Sequence, residues 1–113
     1  MESTRQMKVS KLLQRDLGDI FQRESPHIAD GAMVTVTKIN MTRDLSVAKV
    51  FLSLFATNDK EALLKKIRKH TKDIRYRLGQ KAGKQLRIIP ELQFFIDDSL
   101  DYIENIEKLL DDD

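Results

Sequence analysis

The chain reads as one α+β domain with the element order αββα(α)βα, and three observations predict it. Its 113 residues leave room for a single core, because independent domains usually run ~100–200 residues. Apolar residues recur at helical spacing near the start and again after residue 58, whereas two intervening stretches are dense in Val, Thr and Ile. A composition that is 41% hydrophobic and 34% charged, with only 4 Gly and 2 Pro, is too apolar for a disordered chain.

Ser3 followed at the third position by Gln6 has the form of a capping box. Behind it Val9, Leu12, Leu13, Leu17 and Ile20 make an amphipathic helix until Ser25-Pro26 stops the pattern. After the turn-like Ala29-Asp30-Gly31, Met33 to Met41 and Leu45 to Phe55 are predicted as two strands joined as a hairpin across Thr42-Arg43-Asp44. Neither alternates cleanly, since Val50, Phe51 and Leu52 are consecutive, as expected where one face takes helices and the other is partly covered.

Asn58 with Glu61 three residues on opens a long second helix with the apolar stripe Leu63, Ile67, Ile74 and Leu78, and His70 falls on that stripe. At ~100° per residue Lys81 would swing back onto the apolar side. Gly79 and Gly83 sit near that point, so a kink or break is predicted between them. Leu86 to Ile96 reads as a third strand that Pro90 marks as an edge, a bulge or a bend. Asp97-Asp98-Ser99 offers N-caps for a last helix along Leu100, Ile103, Ile106 and Leu110.

Several chemistries are excluded or weakened at once. With no Cys there are no disulfides, thiolate nucleophiles or thiolate zinc sites, and with 2 His an all-protein zinc site would need carboxylates to complete it. The candidates for a base or a metal ligand are His27, His70, Glu91, Asp97 and Asp98. His27 reads more simply as a turn residue, His70 as a packed histidine, and the adjacent aspartates as helix-capping acids. No Gly-rich phosphate loop, Gly-x-Ser-x-Gly or His-Glu-x-x-His occurs. A non-enzyme without cofactor or metal is expected. Glu2, Arg5, Lys8 and Lys11 stand where a signal peptide needs an apolar stretch, and the longest near-apolar run, Val50 to Ala56, is far shorter than a membrane span. A cytoplasmic protein with no membrane contact is the expectation.

The net charge of +2 hides a segregation. Residues 1–59 hold 8 basic and 7 acidic side chains, residues 60–84 hold 10 basic against Glu61 and Asp73, and residues 91–113 hold 9 acidic against Lys108. Helical stepping places Lys65, Arg68, Lys69, Lys72, Arg75 and Tyr76 on the half of the second helix turned away from the apolar stripe. Salt-bridged surface helices interleave both signs; a face of one sign repels itself unless an external anion offsets it. These residues are therefore the candidate nucleic-acid contacts, with Tyr76 able to stack on a base. Lys81 and Lys84 beside the predicted break and Arg87 at the start of the third strand complete the set.

Specific strings go further. Val34 to Ser53, with an Asp-Leu turn at Asp44-Leu45 leading into Ala48-Lys49-Val50, resembles the hairpin of the bacterial ribosome-binding factor A family. Leu78-Gly79, the block Leu86-Arg87-Ile88-Ile89-Pro90-Glu91-Leu92 and the stretch from Phe94 to Leu100 look like that family's signature, and the terminal Ile103 to Leu110 stretch is similar to its end. The resemblance covers nearly the whole chain. It implies a type II KH-like domain, αββααβ plus a C-terminal helix, with helices packed on one face of a three-stranded sheet. It also implies a monomeric, non-enzymatic ribosome assembly factor that binds the immature small (30S) subunit, supports late maturation of 16S ribosomal RNA or its precursor and helps growth in the cold. Assembly GTPases are further candidate partners.

The family's Ala-x-Gly step in the long helix would fall on His70-Thr71-Lys72, which does not match. The helix is therefore expected to break between residues 79 and 84, with the N–H groups freed there joining the RNA surface. The rival reading is a protein-binding adaptor that docks through the acidic C-terminal helix of residues 98–113.

Overall fold

The computed structural model describes residues 3–24, 28, 32–55 and 57–97. His27, Asp98 and the helix expected along Leu100, Ile103, Ile106 and Leu110 lie outside these residues.

Helix α1 spans Thr4–Asp19 and starts with the predicted capping box: Gln6 N–H donates to Ser3 Oγ (3.2 Å) while Ser3 N–H donates to Gln6 Oε1 (2.7 Å). It runs into a π-helical turn, Ile20–Glu24, where the consecutive Ile20 and Phe21 are both buried. Phe21 meets Phe94 edge to face at 6.2 Å.

Strands β1 (Met33–Met41) and β2 (Val47–Phe55) pair antiparallel, and β3 (Glu91–Ile96) pairs parallel to β2, giving the order β1-β2-β3. Parallel pairing requires a long crossover, and the whole helical segment between β2 and β3 supplies it. The uneven patterning seen in the sequence has two causes. In β1 the register shifts between Val36 and Lys38, so buried positions change parity from Val34 and Val36 to Ile39 and Met41. The Val36 carbonyl at this bulge accepts from Gln14 Nε2 (3.0 Å), which ties α1 to the irregularity. In β2, Val50, Leu52 and Leu54 face the helices, while Phe51 stacks on Phe95 of β3 with centroids 5.5 Å apart. Helices on one face of a mixed three-stranded sheet are the expected α+β, type II KH-like arrangement.

Four boundaries differ from expectation. β2 begins at Val47, because Leu45 takes a left-handed conformation (φ 61°) in a turn where Asp44 Oδ1 accepts from Thr42 Oγ, Ser46 Oγ and Ser46 N–H. The second helix is capped by Asp59, whose side chain accepts from Ala62 N–H (3.0 Å), and not by Asn58. β3 begins at Glu91: Gln85 and Leu86 N–H both turn back to the Ala82 carbonyl, and Pro90 has no N–H for the ladder.

The fourth difference concerns the break. The long helix divides into α2 (Lys60–Lys69) and α3 (Thr71–Ala82) at His70, with φ −98° and ψ 14°. Gly79 lies inside α3, and Gly83 is the residue at which α3 ends, in a right-handed conformation (φ −59°, ψ −26°). The interruption thus falls on His70-Thr71 and not between two stretches of helix at 79–84. Local bonds explain it: His70 N–H donates to Ile67 O (3.0 Å), His70 Nδ1 lies 2.8 Å from Lys66 O, and Thr71 Oγ donates to Arg68 O (2.7 Å), so these carbonyls are drawn into side-chain and short-turn bonds. Of the two glycines only Gly83 serves close approach. A Cβ on Gly79 would touch Ile89 Cγ1 at 3.6 Å, and one on Gly83 would lie 2.4 Å from the Gly79 carbonyl oxygen.

Candidate nucleic-acid interface

Helices α2 and α3 bury Leu63, Leu64, Ile67, Ile74, Leu78 and Ala82, so the opposite side is committed to solvent by the same periodicity. Lys65, Arg68, Lys69, Lys72, Arg75 and Tyr76 are all exposed there. The break at His70 leaves the apolar stripe in register, since Ile67 and Ile74 on either side are both fully buried.

The basic residues do not share one role. Arg68 reaches over the edge of β3, where Nε (3.2 Å) and Nη2 (2.7 Å) both donate to Phe94 O and the guanidinium lies 5.9 Å from the Phe95 ring centroid. Arg75 does the same one step along, donating from Nε to Pro90 O (3.1 Å) and from Nη2 to Ile89 O (2.6 Å). Both satisfy carbonyls on an edge that would otherwise stay open. Lys81 does swing back, as helical stepping requires, but it meets α1 and not the core: its Nζ lies 2.5 Å from Asp19 Oδ2. That contact holds the Asp19 carboxyl below its ordinary pKa, with the charges of Lys81 and Arg23 adding to the effect. Arg77 pairs with Asp73 at 3.1 Å.

Lys65, Lys69, Lys72, Lys84 and Arg87 carry no ion pair among the described residues. Lys69 and Lys72 flank the start of α3, whose first turn has no side-chain cap. One turn further on, Lys72, Arg75, Tyr76, Gly79, Gln80 and Ile89 line an open groove of ≈ 570 Å³. Tyr76 is 66% exposed, and its hydroxyl accepts from Gln80 Nε2 (3.0 Å).

Sequence reasoning misses two features. The tethering of Arg68 and Arg75 depends on where β3 lies, which no local pattern reveals. The outer side of α1 is also basic, with Arg5, Lys8 and Lys11 exposed, and the near-balanced charge of residues 1–59 hides it. Of the residues considered for catalysis, His70 ends α2, Glu91 is exposed at the start of β3, and Asp97 Oδ2 lies 2.5 Å from the Thr37 hydroxyl at the β1 bulge. Among the described residues no cluster of three or more His, Asp or Glu could hold a metal ion, and no helix is long and apolar enough to cross a membrane.

A mixed three-stranded sheet with a broken, predominantly basic helix pair crossing between its parallel strands is the arrangement of a KH-like domain. The particular family follows from comparison with known proteins. The family model for Ribosome-binding factor A matches residues 5–110. The Ribosome-binding factor A of Cytophaga hutchinsonii is 44% identical over 110 residues, spanning 97% of this chain and 83% of that protein. The crystal structure of ribosome-binding factor A from Thermus thermophilus superposes with a TM-score of 0.67 at 22% identity, covering 80% of this chain and 94% of that one. A homology model of the Thermus thermophilus factor, fitted into the cryo-EM map of a 30S–RbfA complex, gives 0.63 at 20% identity over 87% and 97%. This chain belongs to the ribosome-binding factor A family.

Proposed function

We propose that the chain is a single RNA-binding domain that acts as a monomeric ribosome assembly factor in the cytoplasm. It binds the immature small ribosomal subunit, supports late maturation of 16S ribosomal RNA and helps growth in the cold. It works by binding, without cofactor or catalysis, and assembly GTPases on the same subunit are its candidate neighbours. The observation that carries this reading is the uncapped start of α3 between Lys69 and Lys72, on a helix pair whose exposed charged residues are cationic but for Glu61. The 30S–RbfA complex to which the Thermus thermophilus relative was fitted supports the choice of subunit.

Helix N-termini present free N–H groups and a partial positive charge, so a phosphate is favoured at the His70-Thr71 step. Lys69 and Lys72 add full charges on either side, with Lys65 extending the path along α2. Tyr76 offers its ring to an unstacked base in the groove. Lys84 takes the backbone beyond α3. Arg68 and Arg75 hold the β3 edge in place and so shape the groove wall, and Lys81 fixes α3 to α1.

The test is fractionation of a cell lysate on a sucrose gradient. The protein should sediment with free small subunits and avoid complete ribosomes. Distribution across every RNA-containing fraction would contradict the proposal.

A further inference from the structure

Helix α1 carries a second row of cations. Arg5, Lys8 and Lys11 follow one another at three-residue steps, are exposed, and have no ion pair among the described residues. The carboxylates of α1 are engaged elsewhere: Asp16 is 7% exposed and paired with Arg15, and Asp19 is held by Arg23 and Lys81. At its N-terminal end this row meets a cavity of ≈ 310 Å³ whose lining combines Arg5 and Arg87 with Val9, Leu86, Ile88 and Pro90. Its size is at the lower end of small-molecule sites, which run from ~300 Å³. Ile88 is 74% exposed beside it, an apolar surface that the described residues leave uncovered.

We propose that this cavity takes an unstacked nucleobase from a second, single-stranded RNA segment whose phosphates run along Arg5, Lys8 and Lys11. Apolar walls together with two arginines in the lining suit a flat aromatic ring, because guanidinium planes stack on bases while their charge meets the flanking phosphates. The cavity also includes Asp44, whose Oδ1 is engaged by Thr42 and Ser46. These bonds favour its charged form. An acidic peptide would meet Asp44 as a like charge, whereas the amino or imino N–H of a base can donate to it. The site adjoins the α2–α3 groove across Ile89, yet Arg5, Arg87 and Ile88 do not line that groove.

The experiment uses the full chain and a labelled, short single-stranded oligoribonucleotide containing a fluorescent adenine analogue. Affinity, its salt dependence and the analogue's emission are measured for the unaltered protein and three variants: Arg5→Gln with Arg87→Gln, Ile88→Asp, and Lys69→Gln with Lys72→Gln. Thermal unfolding verifies that each is folded. Loss of both arginines should weaken binding about tenfold and reduce the salt slope by about 1.4, the value for two phosphate contacts on a single strand. Ile88→Asp should abolish the emission change, and duplex RNA of the same sequence should compete poorly. The proposal is overturned if the Arg5/Arg87 variant binds like the unaltered protein, if Ile88→Asp keeps the emission change, or if duplex competes equally. Loss confined to the Lys69/Lys72 variant overturns this second site and leaves the α2–α3 reading standing; loss confined to the Arg5/Arg87 variant does the reverse.

Discussion

The Arg75 guanidinium donates to the carbonyl oxygens of Pro90 (3.1 Å) and Ile89 (2.6 Å), clamping the segment that leads into β3 against α3. Hydrogen bonds from charged donors contribute about 1.5–3 kcal/mol where water is excluded and less at a partly exposed site. Arg75→Ala is therefore expected to lower the unfolding free energy by about 1–2 kcal/mol in urea titrations. Lys69→Ala and Lys72→Ala should stay within about 0.5 kcal/mol of the unaltered protein. Equal stability of all three variants would show that the clamp contributes nothing.

The two glycines of α3 should respond in opposite directions. Gly79 has room for a methyl group, the nearest neighbour being Ile89 Cγ1 at 3.6 Å, and it sits inside a helix, so Gly79→Ala should stabilise by up to about 1 kcal/mol. Gly83 has none, because a Cβ would lie 2.4 Å from the Gly79 carbonyl oxygen. Gly83→Ala must displace the helix end and should destabilise by about 1–3 kcal/mol. Thermal melts of the two single variants settle the signs.

The Asp19–Lys81 pair sets an acid limb. Its folded pKa lies below the ordinary value of 3.8, chiefly through the hydrogen bond from Lys81, with burial opposing. The stability it brings is fully present above the unfolded value and is lost as pH falls through the lower folded one. Asp19→Asn should thus be less stable than the unaltered protein at pH 7, and the gap should narrow as pH falls below the ordinary value of 3.8. A gap that is unchanged with pH would mean the pair is not coupled to folding.

Much of the fold is legible in the sequence because it follows periodicity. The capping box at Ser3 and Gln6, the span of β1, and the outward set from Lys65 to Tyr76 are all local patterns, and the structure shows each of them. The break lies away from its expected place for a physical reason: a seven-residue step from Ile67 to Ile74 fits an unbroken helix, and the kink at His70 keeps that register. The available signal is Thr71, whose hydroxyl can bond back to Arg68 O, with Asp73 as the acid of a new first turn. Glycine reads as a breaker in the sequence, whereas Gly79 lies within α3 and Gly83 marks its end rather than a break between two stretches of helix. The functions of Arg68, Arg75 and Lys81 depend on tertiary neighbours far along the chain, which composition cannot supply.

Tyr76 separates stacking from charge. If its ring takes a base in the α2–α3 groove, the interaction is worth about 1–3 kcal/mol. Tyr76→Ala should then weaken binding to single-stranded RNA about fivefold or more, whereas Tyr76→Phe should retain most affinity because the ring remains. Fluorescence anisotropy with labelled RNA distinguishes them, and equal loss in both would point to the hydroxyl and its Gln80 contact instead.

The central claim is that α2 and α3 hold the small subunit through phosphates around the His70-Thr71 break. Its most direct test is the affinity of purified small subunits for the full chain across a salt series, with and without Lys69→Glu and Lys72→Glu. If about five phosphates are neutralised on irregular RNA, log K should fall against log salt with a slope of roughly −3.5. The double variant should bind at least about tenfold more weakly with a flatter slope and an unchanged unfolding midpoint. Salt-independent binding, or a double variant that binds like the unaltered protein, would contradict it.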